Sequence, residues 1–134
     1  MQDWQRSVIY QIYPKSFHSH AGNPTGDLLG IVAKLDYLKW LGVDCLWITP
    51  FLRSPQRDNG YDISDYYAID PSYGSMADCE LLIAEAGKRG IKLMLDIVVN
   101  HTSIEHVWFQ QARSSLDNPY RDFYIWRDQP NNWE

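Results

Sequence analysis

Ile91-Lys92-Leu93-Met94-Leu95-Asp96-Ile97-Val98-Val99-Asn100-His101 is apolar from Ile91 to Val99 except at Lys92 and Asp96. It shows no apolar-polar alternation, and a continuously apolar run suits a parallel strand covered on both faces. A carboxylate inside such a run is costly unless something donates to it. An arginine from a neighbouring strand is the simplest donor, and no strand read from this chain supplies one. Asp96 therefore reads either as half of a structural ion pair or as support for the floor of a site. His101 follows at an odd offset, which in an unbroken strand would turn it to the opposite face. A strand ending near Val99 frees His101 to turn inward, and Asn100 then reads as the turn former that ties the loop down.

Upstream, a helix fits between Ser75 and Gly90. Ser75 and Asp78 form a capping box, and Cys79, Leu82, Ile83 and Ala86 give an apolar face. Lys88-Arg89 sit near its negative end, and Gly90 stops it. Cys45-Leu46-Trp47-Ile48 is a second short apolar strand, stopped by Thr49-Pro50. Before it, Leu28, Ile31, Val32, Leu35 and Leu38 share one helical face, with Asp27 as N-cap and Gly42 in the C′ place. Val8 to Tyr13 is a β-branched and aromatic strand closed by Pro14, followed by a polar stretch from Lys15 to Thr25. Downstream, a short helix is expected from His106 to Arg113, and Ser114 to Glu134 reads as irregular. Leu41-Gly42-Val43-Asp44 and Arg89-Gly90-Ile91-Lys92 occupy the same slot, helix end into strand. The order is β-α-β-α-β, and right-handed crossovers make its strands parallel. This α/β pattern opens like a (β/α)8 TIM barrel, which typically takes about 250 residues.

The chain has 134 residues, 45% of them hydrophobic and 14% aromatic, enough for a packed core. Its net charge of −5 and the lack of a basic run argue against nucleic acid and anionic membranes as partners. Met1 to Arg6 does not read as a signal peptide, and the apolar runs fall far short of the roughly 20 residues of a membrane span. Cys45 and Cys79 lie in apolar stretches and read as buried free thiols of a reducing compartment. The expectation is a soluble, cytoplasmic protein.

Residues 50 to 74 form a polar loop long enough to suggest function. It holds Asp58-Asn59-Gly60-Tyr61-Asp62. By spacing alone this is a solvated Asn-Gly turn. At the C-terminal rim of a barrel, an acid beside a ring also suits a sugar. His101-Thr102-Ser103-Ile104-Glu105-His106 has one residue too many for an H-x-x-E-H metal motif. His18 and His20 lack a third ligand nearby.

Taken together, these segments resemble the α-glucosidase branch of the α-amylase superfamily, glycoside hydrolase family 13. Val8 to Phe17 is similar to the opening strand of oligo-1,6-glucosidases and trehalose-6-phosphate hydrolases. Asp58 to Ile63 resembles their second βα loop, and Asp96 to Ser103 the first signature region. Tyr120 to Trp126 resembles the start of domain B. The resemblance implies an N-terminal portion of the barrel over residues 1–103 and the start of domain B over 104–134. It implies that Asp58, Tyr61 and His101 bind the nonreducing glucose of a small α-glucoside in the −1 subsite, with Tyr61 as a stacking platform. Asp96 would pair with an arginine on the fourth barrel strand, and Asp96 and Asn100 are taken as supports of the active site. The nucleophile and acid/base of a retaining glycosidase would lie beyond Glu134, so no catalytic residue is expected within this chain.

Oligo-1,6-glucosidases often carry an acidic metal loop after the first strand. Here, within residues 19–27, only Asn23 and Asp27 keep oxygen-bearing side chains at matching positions, against the 6–8 oxygens calcium takes. No cofactor is expected; the alternative is a structural divalent cation within residues 19–27, with Asn23 and Asp27 as weak candidate ligands. Lys15, Ser54-Pro55-Gln56 and Ile69 to Gly74 look more like trehalose-6-phosphate hydrolases. A noncatalytic, membrane-tethered relative, like the amylase-fold subunits of amino-acid transporters, is the rival of another class. The retained Asp58, Tyr61 and His101 favour the enzyme.

Overall fold

The computed structural model describes residues 4–129. The strands β1 (Ile9–Ile12), β2 (Cys45–Ile48) and β5 (Lys92–Leu95) form one parallel sheet in the order β1-β2-β5. The ladder runs Gln11↔Trp47↔Met94 and Ile12↔Ile48↔Leu95. The parallel order expected from the repeated strand-helix unit is therefore present. Between β2 and β5 lie β3 (Leu52–Arg53) and β4 (Asp65–Ile69), an antiparallel pair, so the long loop carries structure of its own. Two residues are too few for β3 to leave a periodic trace.

Helix α1 (Pro14–Phe17) is a single turn that Pro14 begins, where the sequence suggested only a strand stop followed by a polar stretch. Proline suits a first helical turn because its missing N–H has no partner there anyway. The next helix is broken at Lys34 into α2 (Leu28–Ala33) and α3 (Leu35–Trp40), but its apolar stripe continues across the break. Leu28, Ile31, Leu35 and Leu38 are all fully buried. Asp27 caps α2 by accepting from the Gly30 amide at 2.6 Å, and Gly42 follows α3 at φ +88°.

Helix α4 (Met76–Lys88) has both halves of the Ser75–Asp78 capping box. Cys79, Leu82 and Ala86 face inward as expected, but Ile83 is exposed. Arg89 donates to the Glu85 carbonyl at 3.0 Å and reaches Asp36 of α3 at 2.7 Å. Helices α2, α3 and α4 pack against the sheet around a core that includes Ile12, Leu46, Ile48, Leu28, Ile31 and Leu82. Cys45 and Cys79 are free and buried, and burial pushes both thiols up.

The third parallel strand is shorter than its composition suggested. Pairing ends at Leu95, and Ile97 and Val99 are 77% and 83% exposed. Apolar character alone cannot separate a paired strand from an extended segment running past the end of a sheet. The last helix, α5 (Val107–Ala112), is capped by the His106 ring, which accepts from the Trp108 amide at 3.1 Å. Its aromatic side chains continue into the segment that follows. Trp108 meets Tyr120 and Phe123, Phe109 stacks on Trp126 at 5.9 Å, and the Arg121 guanidinium covers Trp126 at 3.7 Å. Beyond Ala112 the only helical piece among the described residues is a 3-10 turn, Arg121–Phe123; residues 130–134 of the expected irregular stretch lie outside those described.

Gly30 sits where α2 meets the chain leaving α1, and a Cβ built there would lie 1.9 Å from the His18 carbonyl oxygen. Glycine to alanine inside a helix ordinarily stabilises by roughly 0.5–1 kcal/mol. Here backbone lies in the way, so Gly30→Ala should instead destabilise by about 2–3 kcal/mol. The urea-unfolding midpoint checks this, and an equal or higher midpoint in the variant would refute the close approach.

Candidate functional site

The loop after β2 is organised by a carboxylate. Asp62 accepts from the Ser54 hydroxyl at 2.7 Å, the Arg57 amide at 3.0 Å and the Asp58 amide at 3.1 Å. Burial works against its charge, but the Ser54 hydroxyl and these amides outweigh burial and hold its carboxyl below the ordinary value. The Asn-Gly turn is present as read: Asn59 and Gly60 both have positive φ, and the Tyr61 amide donates to the Asp58 carbonyl at 3.0 Å. Gly60 is needed for a second reason, since a Cβ there would lie 3.0 Å from the Pro50 carbonyl oxygen.

Asp96, one residue past β5, has two donors among the described residues. The Trp47 indole N–H donates to Oδ1 at 2.7 Å, and the Tyr61 hydroxyl donates to Oδ2 at 2.8 Å. Both donors are neutral, an indole on β2 and a phenol from the loop. The hydrogen bond to Asp96, then burial, then the Asp96 charge push the Tyr61 phenol up to about 12, with smaller contributions from Tyr13 and Asp58. Tyr61 is thus a neutral donor at physiological pH.

His101 Nε2 lies 3.0 Å from the Tyr61 carbonyl, and its Nδ1 lies 3.2 Å from the Asn100 amide nitrogen. A neutral ring with the proton on Nε2 satisfies both partners, an assignment made from the network. The segment carrying these residues is pinned from the other loop. Tyr66 donates to the Val98 carbonyl at 2.6 Å, the Ser103 amide to the Ile63 carbonyl at 2.8 Å, and Thr102 pairs with the Tyr124 hydroxyl at 2.8 Å.

Tyr61, Asp96, Asn100 and His101 thus meet at the C-terminal end of the parallel sheet. They line an open depression of about 330 Å³ together with residues 97–99. Asp58 stands three residues before Tyr61 in the same turn; it is exposed, and its carboxylate has no partner among the described residues. Trp47, Asp62 and Tyr66 are the structural participants that the sequence did not single out for these roles. The one available signal was Trp47, a donor on an otherwise aliphatic strand. Asn23 and Asp27 are both tied into the loop after α1. The Asp27 oxygens accept from Gly30, His20 and Ser19, and the Asn23 amide donates to Ser19 at 2.9 Å. Among the described residues no three His, Cys, Asp or Glu side chains gather as metal ligands.

A parallel β-α-β-α-β unit with this rim belongs to the α-amylase family, whose catalytic domain ("Alpha amylase, catalytic domain") matches residues 11–134; the unit is the N-terminal part of that family's TIM barrel. Trehalose-6-phosphate hydrolase of Bacillus subtilis is 60% identical over 98% of this chain, and oligo-1,6-glucosidase of Parageobacillus thermoglucosidasius is 57% identical over 98%. The chain spans only 24% of the length of each. A crystal structure of Bacillus licheniformis trehalose-6-phosphate hydrolase superposes with a TM-score of 0.92 at 60% identity, covering 96% of this chain and 23% of that one. Among the described residues no helix is long and apolar enough to cross a membrane.

Asp62 generates a pH prediction. Its folded pKa lies below the ordinary 3.8, so its stabilising contribution is complete above that value and is lost as pH falls through the folded pKa. Asp62→Asn should abolish this part of the acid sensitivity. It should also cost about 1–3 kcal/mol at neutral pH, because an amide cannot accept from both sides. Unfolding midpoints of both proteins across the acid range check this; parallel pH curves would contradict it.

Proposed function

We propose that the protein acts as a retaining α-glucosidase-type glycoside hydrolase on small α-glucosides, with trehalose 6-phosphate as substrate and glucose and glucose 6-phosphate as products. The observation that carries this reading is the convergence of Tyr61, Asp96 and His101 in one hydrogen-bonded group at the end of the parallel sheet. Barrel enzymes build their sites at that end. In this reading Asp58, Tyr61 and His101 form the half of the −1 subsite that grips the nonreducing glucose. The unpartnered Asp58 carboxylate accepts from sugar hydroxyls. Tyr61, tethered through its hydroxyl, offers its ring as a fixed platform. His101 Nδ1 takes the 6-hydroxyl by exchanging it for the Asn100 amide.

Asp96 and Asn100 support these residues. The nucleophile and acid/base, whose carboxyls stand about 5 Å apart in retaining enzymes, are assigned outside residues 1–134. Residues 1–103 are read as barrel and 104–134 as the opening of an inserted domain B. The two buried thiols agree with a cytoplasmic location.

The preference for trehalose 6-phosphate rests on Lys15, Ser54-Pro55-Gln56 and Ile69 to Gly74, and on the 60% identity to a trehalose-6-phosphate hydrolase. Oligo-1,6-glucosidase activity is the second reading, favoured by an identity only slightly lower, 57%.

The test assays the full gene product on trehalose 6-phosphate and isomaltose and follows the anomer first released. Release of α-glucose from trehalose 6-phosphate is expected. Tyr61→Ala and His101→Ala should each lower kcat/KM by about 10- to 100-fold, the equivalent of one or two strong hydrogen bonds. Faster turnover of isomaltose selects the second reading. Initial release of β-glucose, or no turnover of either sugar, ends the proposal.

A further inference from the structure

The Trp47 indole stands on the central strand of the sheet, on the face away from the helices. Leu46 and Ile48 point into the core and are fully buried, while Trp47 shares its rung and face with Gln11 and Met94. Asp96 lies two positions beyond Met94, on the same face. The last ladder contact there is the Asp96 amide donating to the Ile48 carbonyl at 3.3 Å. Among the described residues no strand pairing continues beyond it. The carboxylate's orientation is set by its donors, and they come from different places: one from the rigid β2, the other from the tip of a loop.

We propose that Trp47 is a positioning residue of the sugar site: by holding Asp96 Oδ1 it aims Oδ2 at the Tyr61 hydroxyl, so the Tyr61 ring is oriented from the sheet rather than from its own loop. The assignment of the ring to sugar binding rests on the function proposed above. The residue type fits the task. An indole N–H only donates, so it cannot satisfy itself by turning over as an amide can. It is also long enough to reach one rung up the sheet. Phenylalanine would fill the same space and leave Asp96 Oδ1 without this donor.

The test reads the Tyr61 phenol, picked out from the other tyrosines by difference against Tyr61→Phe. In the native protein the hydrogen bond to Asp96 should hold it well above the ordinary value, at about 12. In Trp47→Phe it should fall toward the ordinary value of about 10. The KM for the α-glucoside should rise about 10-fold, with a smaller change in kcat, since a platform holds the sugar before and during reaction. A Trp47 that merely fills space would leave the phenol titration unchanged, and that result overturns the proposal.

A second measurement does not depend on Trp47→Phe folding. The Trp47 indole proton of the native protein, followed by NMR, should shift with the acid titration of one carboxylate and lose that response in Asp96→Asn. An indole proton indifferent to acid also overturns it. If the phenol titration falls while the KM stays put, the positioning role stands and the sugar-binding reading of Tyr61 fails.

Discussion

A carboxylate at the end of an apolar strand has to be met by donors, and around Asp96 that requirement organises the rim. Its two oxygens are taken by two side chains from different elements, the Trp47 indole and the Tyr61 hydroxyl. Each hydrogen bond to a charged acceptor is worth about 1.5–3 kcal/mol, enough to fix a rotamer that solvent would otherwise randomise. Once Tyr61 is placed, its carbonyl places His101, and Asn100 closes the group. The strand, the loop and the segment after the strand are thus joined through one side chain.

Carboxylates near the rim divide their labour according to what surrounds them. Asp62 points inward and accepts from the loop it shapes. Asp70 is buried and does the same at the far end of that loop, taking the amides of Ser54 and Ser72. Asp96 bridges strand to loop. Of these carboxylates, among the described residues, Asp58 alone is exposed and has no donor. Asp27 belongs with the fold-building carboxylates: it accepts from a helix end and a loop amide.

The features legible in the sequence are those whose cause is local. The Asp27 cap, the Ser75–Asp78 box, the Asn59-Gly60 turn and the Gly42 stop each depend on residues within a few positions, and each is present. The parallel order of the strands was legible because crossover handedness leaves little choice. What could not be read depends on contacts distant in sequence. Asp96 was rightly seen to need a donor, but Trp47 is 49 residues away and had passed for one more apolar side chain. The end of β5 was misplaced because Ile97 and Val99 have strand composition without strand pairing. The break at Lys34 left no mark, since the apolar stripe runs on through it.

The bonds that hold the rim together link residues 32 to 49 positions apart, from Trp47, Tyr61 and Tyr66 to Asp96, Val98 and His101. Closing loops of that length costs entropy that only completed contacts return. The rim is therefore expected to assemble after the sheet and the α4 core, since α4 lies between its two halves. By the same argument it is expected to open before them, as a unit. Releasing Asp96 frees Tyr61, and with it the anchor of His101, while the helical caps below are untouched. Amide exchange would then see two tiers in this chain: slow protons in β2 and α4, and a faster, mutually correlated group in the two loops.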